Sequence, residues 1–238
     1  IDIGLPENIR FNHVFLPTLP PYTYKQLENN FPKDIIFHYV GYPKMHTKSI
    51  PSRCFPDSDQ PVILYAPSLD LKLIFDALDR GLLQKFKKMK FYKFVIKLHP
   101  SLASRRHYIT SFMNQQVKGI GHIHLDELSG IQNLSEETSI MITDFGSVGC
   151  EYRLRFGKPV VFLQTPQEYD GGADLRFRDD FADAICKVED LENAIGAVVK
   201  KGILPDSELK IMRQQVLSFA GAADKKAART IHEICSTG

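Results

Sequence analysis

Charge of one sign is what this 238-residue chain lacks most plainly. Its 30 lysines and arginines face 28 aspartates and glutamates, for a formal net charge of +2. That balance excludes chain-wide electrostatic attraction to nucleic acid. The densest basic run, Lys85, Lys87, Lys88, Lys90 and Lys93, reads as a solvated face, with attraction to an acidic membrane surface as the alternative. Cysteine is scarce too. Cys54, Cys150, Cys186 and Cys235 stand far apart with no CxxC pair, so no zinc ribbon or disulfide framework is expected and a reducing, cytoplasmic compartment is. No apolar run nears the roughly 20 residues that span a bilayer. Walker A, HExxH, EF-hand and GxGxxG patterns are absent, as are repeats and low-complexity tracts. His122 and His124 alternate onto one strand face, but no third ligand stands at a suitable spacing, so neither a metal nor another cofactor is expected. The chain begins at Ile1 rather than at a methionine and is expected to be a piece of something longer.

What is present is a regular alternation. Residues 1–35, with Pro17, Pro20 and Pro21 close together, read as a linker or wrapping arm with one short helix around 24–30. Residues 36–238 read as one domain. Short apolar runs predict strands at 35–39, 61–66, 91–98, 121–125, 140–143, 159–163 and 184–188. Helical spacing predicts helices over 71–88, 104–117, 128–134, 147–156, 190–200, 207–219 and 223–235. Strands separated by helices make βαβ units, and therefore an α/β, Rossmann-like doubly wound parallel sheet. Ligands of such sheets bind beyond the carboxyl ends of the strands. The places to look are 66–70, 99–101, 143–147 and 163–174.

The segment 140–163, IMITDFGSVGCEYRLRFGKPVVFL, carries the most chemistry. A buried strand ends at Asp144, turns through Phe145-Gly146 and enters a helix capped by Ser147 or Gly146. Unpaired N–H groups and the positive dipole end make such a helix start an anion site. Gly146 and Gly149 let a phosphate approach the backbone, and the Ser147 hydroxyl can donate to it. Glu151 follows one turn later; the competing reading is a carboxylate that complements the helix dipole. Asp144-Phe145-Gly146 spells a kinase magnesium motif without the rest of a kinase, and Phe145 stands where a nucleophile elbow needs glycine. Both readings fail.

His99 closes the strand of FYKFVIKLHP, where an imidazole can donate to a diphosphate and stabilise charge on a leaving phosphate. Ser68 and Asp70 close another strand and face the same cleft, or cap the helix that follows. Arg176 and Arg178, in the loop 167–181, are candidate phosphate contacts that can equally pair with Asp179 or Asp180.

In order along the chain, Gly41-Tyr42-Pro43, Tyr65-Ala66-Pro67-Ser68, Lys97-Leu98-His99-Pro100, Thr143-Asp144-Phe145-Gly146-Ser147, Glu151, Gly157-Lys158-Pro159, Glu168-Tyr169 and the Asp224–Arg229 stretch resemble the CDP-glycerol glycerophosphotransferase family of teichoic acid and capsule polymerases. The resemblance covers roughly residues 36 to 235. It departs where the family shows Asp-Tyr-Ser-Ser, where a threonine and arginine follow its Ala-Pro pair, and where an Arg-Gly follows Tyr169. The resemblance implies one half of a GT-B fold binding a CDP-, CMP- or UDP-linked donor. The diphosphate would lie on the 146–149 helix start, with His99 and Ser147 on its oxygens and Glu151 on the ribose. It also implies a polymer or lipid-linked acceptor, an N-terminal partner domain holding the general base, and a place at the inner face of the membrane. A UDP-N-acetylglucosamine 2-epimerase-like enzyme is the runner-up, although Thr165-Pro166-Gln167-Glu168 stands where that family has Thr-Glu-Arg-Pro. A nucleotide-sugar-binding scaffold without turnover is the non-enzymatic alternative.

Overall fold

The computed structural model describes residues 12–18, 34–47, 50–56, 58–105, 107–166, 176–218 and 221–237. The helix expected around 24–30 and the loop 167–175 lie outside the described residues. The chain divides into two compact units, residues 1–48 with 205–238, and residues 49–204.

The first unit begins with β1 (His13–Leu16), parallel to β2 (Ile36–Tyr39). The sequence reading expected no strand before residue 35; a four-residue strand is too short to stand out among prolines and aromatics. His13 Nδ1 and His38 Nε2 lie 2.8 Å apart across this pair.

The second unit runs β3 (Val62–Tyr65), α1 (Leu71–Asp79), α2 (Leu82–Lys88), β4 (Lys93–Ile96), α3 (Pro100–Arg105), α4 (His107–Val117) and β5 (Ile123–Leu125). It continues with α5 (Ile131–Glu137), β6 (Ile140–Thr143), α6 (Ser147–Phe156), β7 (Val160–Leu163), α7 (Arg176–Phe181), β8 (Ala184–Cys186) and α8 (Leu191–Val199). The chain then returns to the first unit with α9 (Asp206–Val216) and α10 (Ala223–Thr237). There Thr18 bridges Leu217, and the Ser218 hydroxyl accepts from Gly41 N–H at 2.9 Å.

The six strands of the second unit lie in the order β5-β4-β3-β6-β7-β8, all parallel. This is the doubly wound arrangement expected from the sequence. Central strands covered on both faces need unbroken apolar runs, and β3, β6 and β7 are buried at every residue. Alternate side chains separate the two layers. Ile63, Tyr65, Phe94 and Ile96 pack with Ile74, Phe86, Ile109, Met113 and Ile195 of α1, α2, α4 and α8. Leu64, Val95, Met141 and Phe162 pack on the other face with Leu134 of α5 and Tyr152 of α6.

Two helices differ from expectation. The stretch 71–88 is broken at Gly81, which takes the left-handed conformation at φ 85° that an L side chain resists. The helix expected at 128–134 forms at Ile131–Glu137 instead, with Leu128 almost wholly exposed before it. No helix among the described residues is long and apolar enough to cross a membrane.

Candidate functional site

Strand order reverses between β3 and β6. One neighbour of this pair descends toward β5 and the other toward β8, so connections leave in opposite directions and open a crevice at the carboxyl ends. The residues that line this switch point are Ala66-Pro67-Ser68 after β3 and Asp144-Phe145-Gly146 after β6.

The two loops are tied together. Thr143 Oγ1 donates to the Ala66 carbonyl at 2.7 Å, and Asp144 Oδ1 accepts from Ser68 N–H at 2.9 Å and from Phe145 N–H. Asp144 is 4% exposed, and its Oδ2 is buried with no hydrogen-bond partner among the described residues. Burial pushes this carboxyl above the usual range, and the Phe145 and Ser68 N–H groups with the Ser68 hydroxyl only partly offset that. An orphaned buried acceptor is rare enough to call for a partner that a ligand or water supplies.

Above it starts α6. Its cap residue, Gly146, has no side chain to offer, so the N–H groups of Ser147, Val148 and Gly149 receive no side-chain cap from it. Gly146 has φ −74° and ψ 149°, a conformation open to any residue. A methyl group added there would meet Val148 Cγ1 at 3.6 Å and Ser68 Cβ at 3.7 Å, ordinary contacts. Neither backbone nor packing therefore requires glycine at 146. Its absence of a side chain leaves the mouth of the helix open. Gly149 is different: a Cβ there would stand 2.6 Å from Phe162 Cζ and 2.9 Å from Thr143 Cγ2. Its glycine is accounted for by the close approach of α6 to β6 and β7.

The remaining candidates divide. Ser147 is exposed at the first position of α6, and Glu151, half-buried one turn on, has no hydrogen-bond or ion-pair partner among the described residues. Ser68 lies beside Gly146 and its hydroxyl accepts from Asp70 N–H at 3.3 Å. Asp70 caps α1 through Lys72 N–H at 2.7 Å, the capping alternative. His99 is exposed beyond the end of β4, immediately before α3, and its Nδ1 accepts from Ser101 N–H at 3.2 Å. That bond puts the proton of a neutral ring on Nε2, which is left to donate. Because β4 and β6 flank β3, their ends are about 10 Å apart, the span of two strand spacings. Arg178 pairs through Nε with Asp179 Oδ1 at 3.0 Å in α7, which packs on α6. Arg176 opens the same helix, and its side chain lies outside the described residues.

Sequence reasoning missed the brace behind His99. Lys97 Nζ donates to Asp126 Oδ1 at 3.0 Å, with both side chains 9% exposed. Burial pushes Asp126 up, but the Lys97 and Ser129 hydrogen bonds outweigh it and hold the carboxyl below its ordinary value. The signal available was a lysine inside an otherwise apolar strand end. A second missed pair, Arg153 Nη2 with Asp183 Oδ1 at 3.0 Å, anchors α6 while Asp183 Oδ2 accepts from Val160 N–H.

With the geometry in view, a family profile described as CDP-Glycerol:Poly(glycerophosphate) glycerophosphotransferase matches residues 28–234. The chain belongs to this family. No curated protein matches it. Among solved structures it is similar to a protein of Listeria monocytogenes described as a UDP-N-acetylglucosamine 2-epimerase, at 16% identity and TM-score 0.57 over 94% of this chain. It is also similar to the glycotransferase of kitacinnamycin, at 15% identity and TM-score 0.50 over 84% of this chain. It spans 60% and 51% of those two chains. At such identities the likeness bears on fold alone, and it places this glycerophosphotransferase-family chain with GT-B architectures.

Proposed function

We propose that this chain is the donor-binding portion of a transferase that uses a nucleotide-activated donor, CDP-glycerol or a close CDP-, CMP- or UDP-linked relative. The observation that carries the reading is the open start of α6: a glycine at 146 that the fold does not need, and N–H groups without a side-chain cap from it. Family membership supports glycerol phosphate as the transferred group. In that reaction an acceptor hydroxyl attacks the phosphorus next to glycerol. A new P–O bond forms as the bond to the bridging diphosphate oxygen breaks, and CMP leaves. His99 Nε2–H and the helix-start N–H groups stabilise the charge gathering on the departing phosphate. The hydroxyl proton passes to a general base in an N-terminal domain, where the acceptor binds at the inner membrane face. The donor site of this proposal falls in the 49–204 unit, inside the expected nucleotide-binding domain 36–238.

The test is calorimetric titration with CDP, CMP, UDP and UMP, beside the Gly146→Ala variant. Expected is binding of a pyrimidine diphosphate that falls at least tenfold in Gly146→Ala while the variant's melting temperature stays within about 2 °C of the parent. Absence of binding by all four nucleotides rejects the reading and favours a scaffold domain. Equal affinity in the variant rejects the helix start as the phosphate site.

A further inference from the structure

Another group of side chains lies outside this site. Cys54 comes from the loop 50–56, His124 from β5 and Asp126 from the turn after β5. A thiol sulfur, an imidazole nitrogen and a carboxylate oxygen from these residues all lie within 4.8 Å of one another. His122, the other histidine of the pair visible in the sequence, is committed elsewhere, with Nε2 3.0 Å from the Phe86 carbonyl.

Each member of the group is positioned. The N–H groups of Cys54 and Phe55 donate to the two oxygens of Glu137 at 2.8 and 3.0 Å, which fixes the loop on α5. Ser52 Oγ meets Ser129 Oγ at 2.7 Å. The Phe55 ring stands edge-on to His124 with centroids 6.4 Å apart. Asp126 Oδ1 accepts from Lys97 and from Ser129 N–H, and Oδ2 accepts from the Ser129 hydroxyl at 2.9 Å. A carboxylate offers about four lone-pair sites, so one remains on Oδ2. Cys54 is half-buried and His124 exposed, so the group opens to solvent. A nucleophilic role for Cys54 does not fit, because burial, with Glu137 and Asp126 nearby, pushes its thiol up to about 12.

We propose that Cys54, His124 and Asp126 form a binding site for a divalent cation of the zinc class, with a fourth position left to water. One sulfur, one nitrogen and one oxygen ligand suit a borderline-soft ion and not magnesium or calcium, which take oxygen ligands. Zinc bond lengths bring tetrahedral ligand atoms to about 3.5 Å from one another, so side-chain rotations of Cys54 and His124 close the set by about an ångström. Ser129 and Lys97 hydrogen-bond the ligating carboxylate from behind, as outer partners of metal sites do. A bound ion pins the loop 50–56 to β5, and through Asp126 and Lys97 to the strand end that carries His99.

Cobalt(II) titration of the whole, metal-free chain under reducing conditions tests this. One equivalent is expected to give a thiolate-to-cobalt charge-transfer band that zinc displaces and magnesium does not. Cys54→Ser should abolish the band, and Ser129→Ala should weaken cobalt binding by about 10- to 100-fold. Cys235→Ser, at an exposed cysteine on α10, should leave the titration unchanged. Far-ultraviolet dichroism of each variant checks that it is folded. A parent chain without the band overturns the proposal, as does a band that survives Cys54→Ser or disappears in Cys235→Ser.

Discussion

Asp144 carries a buried carboxyl at a cost to the fold. Its raised carboxyl means that the folded chain holds a proton more tightly than the unfolded chain does. Stability then falls as pH rises from the ordinary aspartate range through the folded value, and the full loss is present above it. Asparagine keeps the acceptor that Ser68 and Phe145 use and carries no charge. Asp144→Asn is therefore expected to melt higher than the parent near neutral pH without nucleotide, and the gap should shrink toward about pH 4. Thermal melts across that range check it; a gap that is constant with pH rejects the buried-charge account. Glu151 has the opposite character, half-buried and without a hydrogen-bond or ion-pair partner among the described residues. A carboxylate one turn into α6 would repel a diphosphate, so in the proposed function its task is to accept from ribose hydroxyls. Glu151→Ala should weaken ribonucleotide binding by about 10- to 150-fold, the worth of a hydrogen bond to a charged group. Affinity for the 2′,3′-dideoxy nucleotide should barely change. Titration of both variants with both ligands decides the role, and undiminished ribose discrimination in Glu151→Ala rejects it.

Helix α6 is the element on which packing and the proposed binding meet, and its two glycines divide the work. Phe162, which a side chain at 149 would strike, is itself 1% exposed and has no room to retreat. Gly149→Ala should therefore destabilise the chain by about 1–3 kcal/mol, the usual range for overpacking, whereas Gly146→Ala should not. Denaturant melts of the two variants check the contrast. The same helix shows what the sequence made legible. Its bounds, Ser147–Phe156, and those of β6 are as read, because a buried apolar run followed by glycine and serine is a local signal. The break at Gly81 was not legible, since Leu78 and Leu82 continue the helical spacing across it. The packing role of Gly149 was hidden too, because it depends on a phenylalanine one strand away. Cys54, His124 and Asp126 escaped for the same reason: spacing rules see neighbours in sequence, and this group is assembled by the sheet.

At the scale of the molecule, the proposed donor site falls within residues 49–204, on one edge of one sheet. Hydrogen exchange with and without CDP should show protection gathered at 66–70, 97–101 and 144–151. The opposite edge, where β3, β4 and β6 begin, should be unchanged. Protection on that opposite edge instead would displace the site. The division into units has a consequence in time as well as space. The 49–204 unit is continuous, so every strand of its sheet has been synthesised once residue 186 has been made. The other unit is discontinuous: Gly41 and Thr18 find their partners only at Ser218 and Leu217. At roughly 5–20 residues per second, the first 48 residues wait on the order of ten seconds or more for those partners to be synthesised. During that wait β1 and β2 are nascent chain without α9 or α10, and a nascent-chain-binding chaperone has its opportunity there.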